Sequence, residues 1–243
     1  MRVSIFFAYC LAAVPLLAAD GDWTRQGDVS VDSKFVRRGI ERAGATVTPA
    51  VRLADGSWKF AAQLATPFEA ASRSELGLSA GYTYATESGV SCGWEVAHFQ
   101  FGDAPLGHAS RATELTASLS FPAGPGRLVA SFTREVDQRA DIGELSYAGE
   151  YALKSWGAFL NYRVYLGSVR AEDALPDLPT PRVGDSYIYH GLDLTLPYRV
   201  GGQTVLSAGV HYAGTNGARS FWSPSGASPG GKVWVSLAAS YEF

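Results

Sequence analysis

The chain has 243 residues, enough for one large domain or two small ones, with 20 Lys+Arg against 23 Asp+Glu and a formal net charge of −3. Charged residues make up 18%, below the roughly 25% of a soluble globular chain. No basic cluster offers the footprint that nucleic-acid binding needs, so that partner class is excluded.

The chain opens with Met1-Arg2, an uncharged apolar run from Val3 to Leu17, and Leu17-Ala18-Ala19 ahead of Asp20-Gly21-Asp22. A positive start, an apolar stretch and small residues at a cleavage point predict a secretory signal peptide over 1–19, with a single domain over 20–243. Cleavage leaves one cysteine, Cys92, and therefore no intramolecular disulfide. Beyond residue 19 no uncharged apolar stretch approaches the roughly 20 residues of a spanning helix.

From Val29 onward the apolar side chains recur at every second position, which is the period of a strand. Leu76, Leu78, Ala80, Tyr82 and Tyr84 form one such row, and Val233, Val235, Leu237, Ala239, Tyr241 and Phe243 form another. The in-between positions carry Ser, Thr, Gly and charge. The pattern predicts twelve strands, at 28–38, 45–54, 57–66, 73–84, 91–101, 110–121, 127–136, 142–153, 156–167, 186–198, 203–213 and 232–243. Tight turns such as Asp55-Gly56 and Gly201-Gly202 fall on one side, and long Pro-rich connections such as 168–185 and 213–232 on the other. Strands of this length are about twice the five or six residues usual in a soluble sandwich. The expected fold is all-β, a transmembrane antiparallel up-and-down β-barrel of about 12 strands, closed because backbone groups in lipid must pair.

Trp58, Tyr84, Phe121, Trp156, Tyr198 and Tyr241 lie near the short-turn ends of their strands, where aromatic rings meet lipid headgroups. A terminal strand with Tyr241 and Phe243 in its apolar row resembles the signal that bacterial outer-membrane barrels present to the barrel assembly machinery. Asp32-Ser33-Lys34-Phe35-Val36-Arg37-Arg38-Gly39-Ile40-Glu41, followed by Val47-Thr48-Pro49-Ala50-Val51, resembles the opening hairpin of the TorF family of outer-membrane porins. Arg37 stands where an aromatic is usual in that family, and Glu41 where a Ser is usual. The resemblance implies a passive channel in the outer membrane of a Gram-negative-type bacterium, in contact with outer-membrane lipid and lipopolysaccharide.

With the polar face turned inward, nine acids (Asp32, Glu75, Glu95, Glu114, Glu135, Glu144, Glu150, Asp193, Glu242) meet six bases (Lys34, Arg38, Arg52, Lys59, Arg127, Arg163). The pore residues singled out are Lys34, Arg38, Arg52, Lys59, Glu114, Glu135 and Arg163. An acidic excess predicts a weak cation preference for small polar solutes or ions; lateral salt bridges that brace the wall are the competing reading. The loop at 168–185 is a candidate inward constriction, although a solvated external loop fits it better. A closed structural or adhesion barrel acting through its long loops is the second functional reading. A lipid hydrolase built on His108-Ala109-Ser110 is the third, and the chain is expected not to be an enzyme. His98, His190 and His211 lie on separate strands without metal-ligand spacing, so neither metal nor cofactor is implied.

Overall fold

The computed structural model describes residues 23–69, 72–102, 110–137, 139–171, 186–216 and 230–243. Residues 1–19, expected to form a signal peptide, His108 and the loop from 172 to 185 lie outside them. Strands β1 (Thr24–Asp32), β4 (Thr46–Asp55), β5 (Trp58–Pro67), β6 (Glu75–Ala85), β7 (Ser91–Phe101), β8 (Arg111–Ala123), β9 (Gly126–Glu135), β10 (Ala140–Leu153), β11 (Ala158–Ala171), β12 (Ser186–Val200), β13 (Thr204–Thr215) and β14 (Lys232–Glu242) each pair with their neighbours. β1 pairs with β14, which closes a twelve-stranded antiparallel barrel.

Alternation along each strand divides the side chains between two environments. Val31, Leu78, Leu115, Val164 and Leu237 are exposed on the outer face, Leu237 by 66%. In a soluble protein such a surface would aggregate; on a closed barrel with a polar interior it is the band that contacts lipid. Trp58, Tyr84, Phe121, Tyr198 and Tyr241 are also exposed, so five of the six expected girdle residues stand on the outer face near the short turns. Trp58 packs edge-on against Trp94 and Tyr82, with ring centroids 5.7 and 5.1 Å away.

The first strand is a correction. The alternation reads as continuous through residue 38, but β1 ends at Asp32, and the chain then forms a separate two-stranded hairpin of β2 (Phe35–Arg37) and β3 (Ile40–Ala43). Arg37 pairs with Ile40, leaving Arg38-Gly39 as a two-residue turn with φ of +51° and +75°. Positive φ at both central positions is the turn whose twist matches a hairpin. Phe35, which an unbroken alternation from Val29 and Val31 would turn to the lipid face, therefore belongs to the hairpin and not to the wall.

Candidate functional site: the barrel lumen and its inward hairpin

The hairpin folds into the barrel at the long-loop end and docks on opposite sides of the wall. Arg37 reaches Glu75 on β6 (Nη1 to Oε1, 3.3 Å) and Glu114 on β8 (Nη2 to Oε1, 2.8 Å). Arg38 grips Glu114 with both ends of its fork, at 2.9 and 2.8 Å. Arg42 lies 3.6 Å from the second oxygen of Glu75. Above these pairs, the Arg37 guanidinium sits 3.9 Å from the ring centre of Phe99. Both carboxylates are nearly inaccessible, so the pairs sit where breaking one is costly.

The other flank of the hairpin is apolar. Ile40 is buried among Ala140, Ile142, Val169, Tyr187 and Tyr189 from β10, β11 and β12. Gly39 lies so close to β13 that a Cβ there would stand 2.5 Å from Thr215 Cγ2. The hairpin itself does not span the membrane, and its cations feel their surroundings strongly. Burial opposes the charge on Arg38, but Glu114 outweighs it and holds the guanidinium above its ordinary value. Burial, with Arg37 alongside, pulls Arg42 down to about 10 against the attraction of Glu75.

Below the hairpin the lumen is lined by cross-strand ion pairs. Arg52 meets Asp28 at 2.5 Å, and Asp28 also accepts from Ser240 and Gln26. Arg163 bonds Glu144 at 2.5 Å and lies 4.0 Å from Asp193, while Tyr189 donates to the second oxygen of Glu144 at 2.8 Å. Among the described residues Lys59, Arg127, Asp32, Glu95, Glu150 and Glu242 make no ion pair within 4 Å; Arg127 donates instead to Ser120 Oγ, Ser91 Oγ and the Gly89 carbonyl, and Asp32 accepts from Ser30. A cavity of about 660 Å³ opens at the short-turn end, lined by Arg127, Glu150, Asn161, Arg163, Asp193 and Thr195 among others.

Of the pore residues expected from sequence, Arg52, Lys59, Glu114 and Arg163 lie on lumen-facing rows of the wall. Glu135 is fully buried at the end of β9, and its Oε1 accepts from the Asp137 amide. Arg38 and Lys34 belong to the hairpin, where Lys34 pairs with Glu41 at 3.5 Å. Sequence reasoning missed Arg37 and Arg42, because nothing local announces that carboxylates at 75 and 114 will face them.

It also missed a chain of contacts from Asp193 Oδ1 to His211 Nδ1 at 2.8 Å and from His211 Nε2 to Ser236 Oγ at 2.9 Å. Gly209 makes room for it: a Cβ there would stand 2.4 Å from Ser236 Oγ. Asp32, directly opposite Ser236 in the β1–β14 register, places a second carboxylate beside that hydroxyl. Negative charge developing on a reacting oxygen would be repelled there, so the chain fits a structural brace between β12, β13 and β14. Ser110 is exposed just ahead of β8.

No protein-family model and no curated protein sequence matches the chain. Among solved structures it is similar to the COG4313 outer membrane channel from Pseudomonas putida F1, with a TM-score of 0.56 and 14% identity over 93% of this chain and 97% of that one. It is more distantly similar to the outer membrane protein OprD from Pseudomonas aeruginosa, with a TM-score of 0.40 and 12% identity over 83% of this chain and 60% of that one. An anion-selective porin from Comamonas acidovorans gives a TM-score of 0.31 and 11% identity over 91% and 98% of the two chains. At these identities the likeness to the COG4313 channel is one of fold: a closed antiparallel β-barrel.

Proposed function

We propose that the protein is a porin-like channel of the outer membrane, passing small polar solutes or ions by passive diffusion and narrowed at its long-loop end by the inward hairpin. The observation that carries this reading is the charged, polar lumen enclosed by an apolar outer face. Its weak cation preference is supported by the lumen charges outside the ion pairs, in which Asp32, Glu95, Glu150 and Glu242 outnumber Lys59 and Arg127. The likeness to outer-membrane channels is consistent with the role, while the TorF resemblance adds only the opening segment to it.

The test is single-channel recording of the refolded protein in a planar bilayer, with reversal potentials under a salt gradient. Discrete steps and a cation-side reversal are expected, with the reversal potential moving toward the anion side in Glu150→Lys. Silence from protein shown to be inserted would overturn the channel reading. A second reading, a closed barrel that acts through its outer loops, draws on the hairpin's occupation of the lumen, and silence is its predicted result.

A further inference from the structure

The hairpin is built differently from the wall it closes. It forms its own two-stranded sheet and shares no ladder with the barrel strands. What holds it inside is side-chain contact: the ion pairs of Arg37, Arg38 and Arg42 with Glu75 and Glu114, and the burial of Ile40. Its turn holds Arg38 at φ +51°, in the left-handed region that L-residues seldom adopt. Its two feet are tied to the wall by backbone hydrogen bonds, Ser33 N to Val235 O and Phe68 N to Ala45 O, both at 2.9 Å, so the β2–β3 segment between them can swing out on these feet without breaking a barrel ladder.

The hairpin also carries charge. Lys34, Arg37, Arg38 and Arg42 against Glu41 leave it with a net charge of +3, whereas the carboxylates that hold it stay fixed on β6 and β8. A cationic element inside a low-dielectric wall lies in the transmembrane field, and any movement along the barrel axis does electrical work.

We propose that the hairpin over residues 33–45 is a voltage-responsive gate, with Arg37, Arg38 and Arg42 as its gating charges and Glu75 and Glu114 as its closed-state latch. A field negative on the long-loop side pulls the hairpin outward and opens the lumen; the reverse field seats it on the latch. Three charges moving through a third of the field equal one elementary charge across the whole, which shifts the open-to-closed ratio roughly fiftyfold per 100 mV. The proposal rests on the channel reading, and the experiment separates the two.

Three proteins are compared in oriented planar bilayers: the full chain, a variant with residues 33–45 replaced by a short Gly-Ser turn, and a triple variant Arg37→Gln, Arg38→Gln, Glu114→Gln that removes two gating charges together with their counter-charge. The full chain is expected to open with one polarity only, and the triple variant to lose at least half of the voltage steepness. The turn-replaced variant should conduct at both polarities. A conducting turn-replaced barrel beside a full chain whose conductance ignores voltage would overturn the gate and leave the channel standing. Silence from both inserted proteins would overturn the channel itself.

Movement is read independently with Ile40→Cys in a Cys92→Ser background. A charged thiol reagent should modify residue 40 under the opening polarity and spare it under the closing one. Equal modification at both polarities would also sink the gate.

Discussion

Arg38 and Glu114, 76 positions apart, meet as a two-pronged pair inside the barrel, Nη1 on Oε1 at 2.9 Å and Nη2 on Oε2 at 2.8 Å. The arginine comes from the turn of a hairpin anchored between β1 and β4, and the carboxylate from β8, across the lumen. One side-chain contact thus spans the pore. Charge-assisted forks of this kind fix geometry as well as contributing energy, which is how a short hairpin is held at a defined place in an open tube.

Removing the carboxylate is therefore expected to release the hairpin. Glu114→Ala leaves the Arg38 fork without its partner and should weaken docking by roughly 3 kcal/mol. Limited trypsin digestion of the folded barrel checks this, because Arg37, Arg38 and Arg42 become cleavable once the hairpin leaves the lumen. The unaltered protein should resist at these sites, and equal resistance in the variant would show that apolar packing alone suffices.

Gly39 tests the same docking from the other flank. Gly39→Val adds a β-branched side chain at φ +75°, aimed at Thr215 Cγ2, and should undock the hairpin while leaving the barrel closed. Gly56→Val, at φ +47° with open space around it, carries the backbone strain without the collision and serves as the comparison. Only the former is expected to raise tryptic cleavage in the hairpin.

The orientation of the wall is tested on neighbouring residues of β11. Val164 is half exposed on the outer face, whereas Arg163 faces the lumen and pairs with Glu144. Val164→Arg should cost about 2–4 kcal/mol of folding free energy in lipid if it sits near the bilayer midplane. Asn161→Arg, facing the pore from the same strand, should cost far less. Refolding titrations into lipid vesicles measure both, and equal costs would contradict the assignment of faces.

The brace in the lumen has its own signature. Gly209→Ala introduces a Cβ 2.4 Å from Ser236 Oγ and 2.5 Å from His211 Nε2, so the contacts from Asp193 through His211 to Ser236 must part. A loss of about 1–3 kcal/mol is expected from overpacking, read as a lower urea midpoint in detergent. Ser236→Ala, which removes one end of the chain without crowding it, should cost no more than about 1 kcal/mol.

Much of this was legible in the sequence because a lipid-facing barrel writes its fold in a period of two. From β4 to β14 the expected strands agree with the observed ones to within four residues, and the aromatic residues near the short turns stand where headgroup contact requires. The lumen-facing phase of Arg52, Lys59, Glu114 and Arg163 followed from the same alternation. The hairpin was hidden by that very signal: Phe35 and Val36 continue the alternation of β1, and an Arg at the first turn position gives none of the Asn-Gly or Asp-Gly cues that mark a two-residue turn. Its docking partners lie 38 to 77 residues downstream, beyond any local pattern. The contacts around His211 were invisible for the same reason, since register between β12, β13 and β14 decides them.

The seam between β1 and β14 has a further consequence, for the order in which the molecule assembles. Ser240 donates to Asp28 from 212 residues away, whereas the hairpin's arginines find Glu75 and Glu114 across 38 and 77 residues. Closing the shorter loops is cheaper by about 1 kcal/mol or more in chain entropy, and contacts near in sequence form earlier. By that entropy the hairpin is expected to reach its carboxylates while the sheet is still an open ribbon, with the last strand then zipping onto the first beside it. On that order the plug would serve as a former around which the wall is rolled shut, rather than a stopper threaded into a finished tube.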